Sequence, residues 1–135
     1  MNISEAAERW ARTWERGWID KDLEAIVALY SDAVVYSSEP FREPYRGLAG
    51  VREYVGQAFS EEEQIRAVFG APIVGDQGAA ISWWATLVEN GEEVSLAGTS
   101  NLRFDAYGLV TDQWDSWNQA SVAIEATGWP FEGRK

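Results

Sequence analysis

The sequence predicts an α+β domain: a cone-like roll in which N-terminal helices pack on a strongly curved, mainly antiparallel meander sheet. Three observations predict it. Apolar residues in the first third recur at three- and four-residue steps, the period of a helix with one buried face. The second half is a series of β-rich runs divided by turn signals. Two of those runs, AAISWWATLV and EVSLAGTSNLRF, are long enough for the sheet to twist strongly and curl over the helices.

The elements follow in order. Ile3, Ala7, Trp10, Trp14 and Trp18 form one apolar stripe, with Glu5, Glu8, Arg9, Arg12 and Arg16 between them. Ser4 with Glu8 marks a start for this helix, and Gly17 weakens its end. After IDKD, where Asp20 or Asp22 can cap, LEAIVALY repeats the pattern through Leu23, Ile26, Val27 and Tyr30 as a second helix. VVYSS reads as a short strand, and SEPFREPYRG, with two prolines and a glycine, as an irregular loop. A third helix is expected from Leu48 to Phe59, with Val51, Tyr54, Val55 and Phe59 on one face.

EEEQIRAVFGAPIV then opens as a solvated acidic patch and becomes an alternating strand. The run Ser60 to Gln64 is a poor metal site, because adjacent carboxylates on a helix point in different directions. DQG at Asp76 to Gly78, Asn90-Gly91 and DAYG at Asp105 to Gly108 separate the strands of a four-strand antiparallel meander. The tail QASVAIEATGWPFEGRK has no clear period; it holds a short helix or packs across the body.

Composition narrows the chemistry. The 135 residues suit one domain spanning 1–135, with no repeat or internal linker. Eleven Lys plus Arg against 22 Asp plus Glu give a net charge of −11, which argues against nucleic acid and anionic membrane surfaces as partners. With no cysteine and no histidine, nucleophilic Cys chemistry, Cys/His zinc sites and Ser-His-Asp arrangements are excluded. The charged N-terminal stretch carries no apolar run, so neither a signal peptide nor a membrane span is expected and the location is read as cytoplasmic. Eight Trp, five Tyr and five Phe are many for this length, enough to fill a core and line a pocket for a flat apolar ligand.

The most informative string is VTDQWDSWNQ, Val110 to Gln119. Strand alternation puts Gln113, Asp115 and Trp117 on one side and Asp112, Trp114 and Ser116 on the other. If Asp115 faces the hollow of the cone, indole surroundings desolvate it and raise its pKa toward that of a general acid or base at neutrality. The alternative is an Asp115 that is exposed, or that accepts a hydrogen bond from a Trp N–H or a backbone group as buried polar groups usually do. Trp83 and Trp84 must face opposite sides, one into the cone. Tyr36 can bring a hydroxyl to the same hollow, and Gly98 shares a face with Ser100, where it makes room or lets the sheet bend. Phe41 and Tyr45 sit among Glu39, Arg42, Glu43 and Arg46, either a lid or ordinary alternating surface charge.

The strings DKDLEAIVALYSDAVVY, PFREPYRG leading into GVREYV, LAGTSNLRFDAYGLV and WDSWNQ resemble the nuclear transport factor 2-like superfamily in its SnoaL-like branch. The resemblance spans nearly the whole chain. It implies a ligand-holding cone and, often, a homodimer, in a superfamily that includes isomerases, cyclases, dehydratases and epoxide hydrolases. Ketosteroid isomerases use an Asp base with a Tyr and a protonated Asp as oxyanion hole; the resemblance maps the latter two to Trp14 and near Ser100, and the base to Ser38 or Glu39. Two of three roles lose their chemistry, which argues against that activity. Limonene-type epoxide hydrolases resemble the chain through GLVTDQWDSWN, with their carboxylate at Asp115, but their partner Asp and Arg fall near Trp83 and Ile81, side chains that cannot activate water.

SnoaL-type polyketide cyclases depend on a single acidic residue near this strand, and the resemblance gives that role to Asp115. The combined expectation is a pocket for a small apolar or aromatic ligand, shaped by Trp14, Tyr36, Phe41, Trp83 and Trp117. Ser100 and Gln113 orient the ligand, and Asp115 performs acid/base chemistry, with no cofactor and no metal. The other reading is a non-catalytic binding or dimerisation module.

Overall fold

The computed structural model describes residues 1–133; positions 134 and 135 of the tail lie outside the described residues. Helix α1 spans Ile3–Asp20, with its cap two residues before the expected Ser4. Asn2 caps it: its side chain accepts from the Glu5 amide at 2.8 Å while the Glu5 carboxylate accepts from the Asn2 amide, a reciprocal capping box. The helix runs past Gly17 and stops at Lys21, which takes the left-handed conformation at φ 54°. Trp10, Trp14 and Trp18, four residues apart, form a ladder with neighbouring ring centroids 6.0 Å apart.

Helix α2 is only Leu23–Val27, capped by Asp22. The apolar period of LEAIVALY suggests a longer helix, but Tyr30 pairs with Val110 and the Leu29 carbonyl accepts from the Val110 amide at 2.9 Å. Strand pairing overrides the local helical pattern. Strand β1 therefore runs Tyr30–Ser37, longer than VVYSS suggests.

After β2 (Tyr45–Arg46), α3 covers Gly47–Glu61, beyond the expected Leu48 to Phe59 at both ends. The remaining strands are β3 (Glu62–Phe69), β4 (Ile73–Val74), β5 (Ala79–Glu89), β6 (Glu92–Phe104) and β7 (Val110–Ala120). The sheet order is β2-β1-β7-β6-β5-β3, with β4 on β5; among the described residues only the β1–β7 pair is parallel. The β5–β6 hairpin turns on Asn90 and Gly91 at φ 51° and 85°, the two positive values a two-residue turn of this hand requires.

Alternation sorts the faces. Ile81, Trp83, Ala85 and Leu87 of β5 and Leu96, Ser100 and Leu102 of β6 are buried toward the helices, as are Gln113 and Asp115 of β7. Trp84 faces outward, where its indole N–H donates to the Ile124 carbonyl at 2.7 Å and its ring meets Phe131 edge-on. The tail lies across this outer face with no helix among its described residues.

Register puts Trp83, Gly98 and Trp117 in one row across three strands, and Ile81, Ser100 and Asp115 in the next. A β-carbon on Gly98 would stand 2.3 Å from the Ser116 carbonyl oxygen and 2.5 Å from the Trp117 β-carbon. Backbone cannot yield as a side-chain tip can, so Gly98→Ala forces the β6–β7 pair apart. Urea unfolding of this variant is expected to show a loss of about 2 kcal/mol; unchanged stability would contradict the close approach.

Candidate functional site

The inner sheet face, α1 and α3 enclose a cavity of about 540 Å³. Its deep wall is aromatic, with Trp10, Trp14, Trp18, Phe59, Phe69 and Trp83. Trp18 and Trp83 meet edge to face at 5.7 Å and join the helix ladder to the sheet. The rim carries the exposed side chains Arg42, Glu53, Gln57, Glu61 and Gln119.

Two chains of hydrogen bonds run from indoles to one carboxylate. Trp10 and Trp14 both donate through Nε1 to the Tyr30 hydroxyl oxygen, at 3.3 and 3.0 Å. An indole N–H only donates, so the Tyr30 oxygen is spent as an acceptor and its proton must go elsewhere. It goes to Gln113 Oε1 at 2.5 Å. That fixes the amide: Gln113 Nε2 turns to Asp115 and donates to Oδ1 at 3.0 Å and Oδ2 at 3.2 Å. On the second chain Trp83 Nε1 donates to Ser100 Oγ at 3.0 Å, and the Ser100 hydroxyl donates to Asp115 Oδ1 at 2.6 Å. Oδ1 is thus doubly held. Oδ2 has one longer bond, to Gln113, and the Tyr36 hydroxyl also bears on the carboxyl; Oδ2 is the less tightly held oxygen.

Asp115 is 5% exposed, and burial pushes its carboxyl up to about 7, against the downward pull of Ser100, then Gln113, then Tyr36. Burial likewise raises the Tyr30 and Tyr36 hydroxyls well above the ordinary phenol value, so both stay neutral donors. Glu62 is a second perturbed acid on the cavity wall, also pushed up to about 7 by burial, with its Oε1 accepting from Trp18 Nε1 at 2.8 Å.

Of the residues expected at the site, Trp14, Tyr36, Trp83, Ser100, Gln113, Asp115 and Trp117 all line the cavity. Phe41 does not: its ring is wholly exposed and contributes nothing to the lining. It sits in the turn after Pro40, where the chain leads Arg42 to the rim and the Phe41 ring out to water. The solvated reading of Ser60 to Gln64 also fails at Glu62, which is 3% exposed. α3 ends at Glu61 and β3 begins at once, so the change of period turns Glu62 inward toward Trp18.

Sequence reasoning missed Tyr30 and Glu62 as site residues, and met Ser38 only as one position that the isomerase resemblance gives to a base. Tyr30 looked like one more apolar position of a helix, although a core phenol always needs a partner. Ser38 is buried on the cavity wall and its hydroxyl has no partner among the described residues.

The profile of the SnoaL-like domain matches residues 7–113. The chain belongs to the SnoaL-like domain family. The match includes Trp14, Tyr36, Trp83, Ser100 and Gln113 and ends two residues before Asp115. No curated protein matches this SnoaL-like chain. Among solved structures, RV0760c from Mycobacterium tuberculosis is similar with a TM-score of 0.75 at 16% identity, over 89% of this chain and 98% of that one. That protein is also known in complex with estradiol-17beta-hemisuccinate. The epoxide hydrolase/cyclase-like enzyme SalBIII, described in pyran ring formation in the polyether salinomycin, gives 0.74 at 17% identity, over 84% and 91%. Delta 5-3-ketosteroid isomerase from Mycobacterium sp. gives 0.68 at 20% identity, over 86% and 92%. At these identities the likeness carries the fold. Among the described residues no helix is long and apolar enough to cross a membrane.

The raised carboxyls have a consequence for stability. A carboxyl whose folded pKa lies above its unfolded value binds its proton more tightly in the native state. Its stabilisation is complete below the unfolded pKa, near 3.8 for Asp115 and 4.5 for Glu62, and is lost as pH rises through about 7. In that window each costs about 1.4 kcal/mol per pH unit. Asp115→Asn keeps the acceptor and donor pattern of the protonated acid, so its unfolding free energy should decline less than that of the native chain between about pH 4 and pH 7. Parallel declines in denaturant titrations would show that Asp115 ionises as freely as a surface carboxyl.

Proposed function

We propose that the cavity binds a small, mostly apolar ring compound and that Asp115 moves a proton on it, without a cofactor, in an isomerisation, cyclisation or dehydration. The observation that carries this reading is the asymmetry of the Asp115 carboxyl: Oδ1 is held by Ser100 and Gln113, while Oδ2 has one long bond in an aromatic cavity. A carboxyl poised at about 7 exists in both protonation states near neutrality, the condition for taking a proton from one atom and returning it to another.

In the proton transfer, Asp115 as carboxylate accepts a proton at Oδ2 from a carbon beside the ligand's carbonyl, and the electron pair moves into the enolate. The protonated acid then returns that proton to a different carbon or to a leaving oxygen. Ser100 and Gln113 keep the carboxyl oriented throughout, and the indole walls hold the ring flat and exclude water. The named activities of SalBIII and of the ketosteroid isomerase, and the steroid derivative bound by RV0760c, support a ring-shaped, largely apolar ligand. Trp14 and Ser100, at or near the positions that the isomerase resemblance gives to the Tyr and Asp of the oxyanion hole, argue for a different reaction from steroid isomerisation.

We assign the twofold pairing expected of this family to the outer sheet face, where Trp114, Ile73 and Val74 are exposed.

Deuterium uptake tests the proton transfer. With 2-tetralone as probe in heavy water near neutral pH, the native chain should speed exchange at the carbons beside the carbonyl, and Asp115→Asn should reduce that enhancement by about 10²-fold or more. Equal enhancement by both proteins would remove Asp115 from the chemistry.

A further inference from the structure

A second acid on the cavity wall, outside the Asp115 hydrogen-bond network, has no role in this reaction. Glu62 is buried beside Trp18, and its only side-chain partner among the described residues is that indole N–H. No lysine or arginine reaches it within ion-pair distance among the described residues. The charged groups that face it are mostly of its own sign: Glu61 precedes it in α3, Glu89 is its cross-strand partner on β5, and Lys21 beyond the end of α1 gives the one opposing field. The surface around it repeats this bias. Among the described residues, six carboxylates line the cavity (Glu39, Glu53, Glu61, Glu62, Glu89 and Asp115) against one cation, Arg42, which already pairs with Glu39 at 3.3 Å.

A buried carboxylate with one hydrogen bond and no counter-charge is unstable as an anion, and a cation brought by a ligand would relieve it. The walls add to the match. Trp18 lies edge-on to both Phe69 and Trp83, so aromatic faces and edges surround the same end of the cavity, and the negative face of an aromatic ring attracts an ammonium.

We propose that the cavity selects ligands whose apolar ring body carries a positively charged ammonium group, seated against Glu62 and the Trp18 end of the aromatic wall. The inference rests on the reading of the cavity as a small-molecule site, but not on Asp115 being its acid or base. It excludes carboxylate, sulfonate and phosphate ligands, which would meet an acidic lining with no free cation among the described residues.

Three probes of one shape test it: benzyltrimethylammonium, its carbon isostere neopentylbenzene, and the anion phenylmethanesulfonate, each followed by change in the protein's tryptophan fluorescence. At about pH 8 the cation should bind roughly tenfold or more tighter than the neutral isostere, and the anion should not bind. Because the ammonium is permanently charged, its affinity should rise as pH increases through about 7 and Glu62 ionises, while that of the neutral isostere stays flat. Glu62→Gln, which retains an acceptor for Trp18, should bring cation and isostere within about twofold of each other. Equal binding of the two by the native chain, or a preference that survives Glu62→Gln, overturns the proposal and leaves the cavity as a neutral-ligand site. Failure of all three probes to bind overturns the small-molecule reading together with it. The comparison within the native chain stands even if Glu62→Gln does not fold.

Discussion

The indole N–H can donate a hydrogen bond and cannot accept one, and the interior of this protein is organised around that fact. Trp10 and Trp14 saturate the Tyr30 oxygen, which leaves Tyr30 one outlet, which in turn leaves Gln113 one orientation. Trp83 does the same to Ser100. Both chains end on Asp115, so three tryptophans dictate that a buried carboxyl is met only by donors. Reversing any link would set two donors or two acceptors face to face in a dry interior, at a cost of about 1–3 kcal/mol for each group left unpaired.

The same side chains keep the cavity open. Four-residue spacing lays Trp10, Trp14 and Trp18 along one side of α1 as a wall, and Trp83 extends that wall onto the sheet. Gly98 lets β7 lie close enough for Trp117 to reach the Ser38 carbonyl, which it contacts through Nε1 at 2.8 Å. A side chain at that position would separate the strands whose register sets Ser100 opposite Asp115. Packing and proton chemistry therefore depend on the same few contacts. Nearly the whole aromatic complement of the inner face has a second duty as a donor or as a surface for a ligand.

Much of this was legible in the sequence, because the signals were periodic or local. The tryptophan stripe, the Asn90-Gly91 turn and the alternation of VTDQWDSWNQ each follow from backbone geometry, and the alternation alone puts Asp115 and Gln113 on one face. Whether that face was the inner one depends on curvature and on what packs above it, which no short window contains. Tyr30 escaped because its apolar spacing with Leu23, Ile26 and Val27 suits a helix, while pairing with Val110, 80 positions away, decides its true state. Glu62 escaped because a run of glutamates is normally solvated, and only the abrupt change from α3 to β3 turns one of them inward. Phe41 erred the other way: a ring beside a candidate lid looks like a pocket wall, yet the turn carries it into water.

The most direct test of the donor-fixed network is the carbon-13 titration of the Asp115 carboxyl in the native chain and in Tyr30→Phe. The account predicts a native midpoint near 7, and a higher one once the Tyr30 hydroxyl is gone, because Gln113 then loses the contact that aims its N–H at the carboxyl. A native midpoint near 3.8, or one that does not move when the hydroxyl is removed, would contradict it.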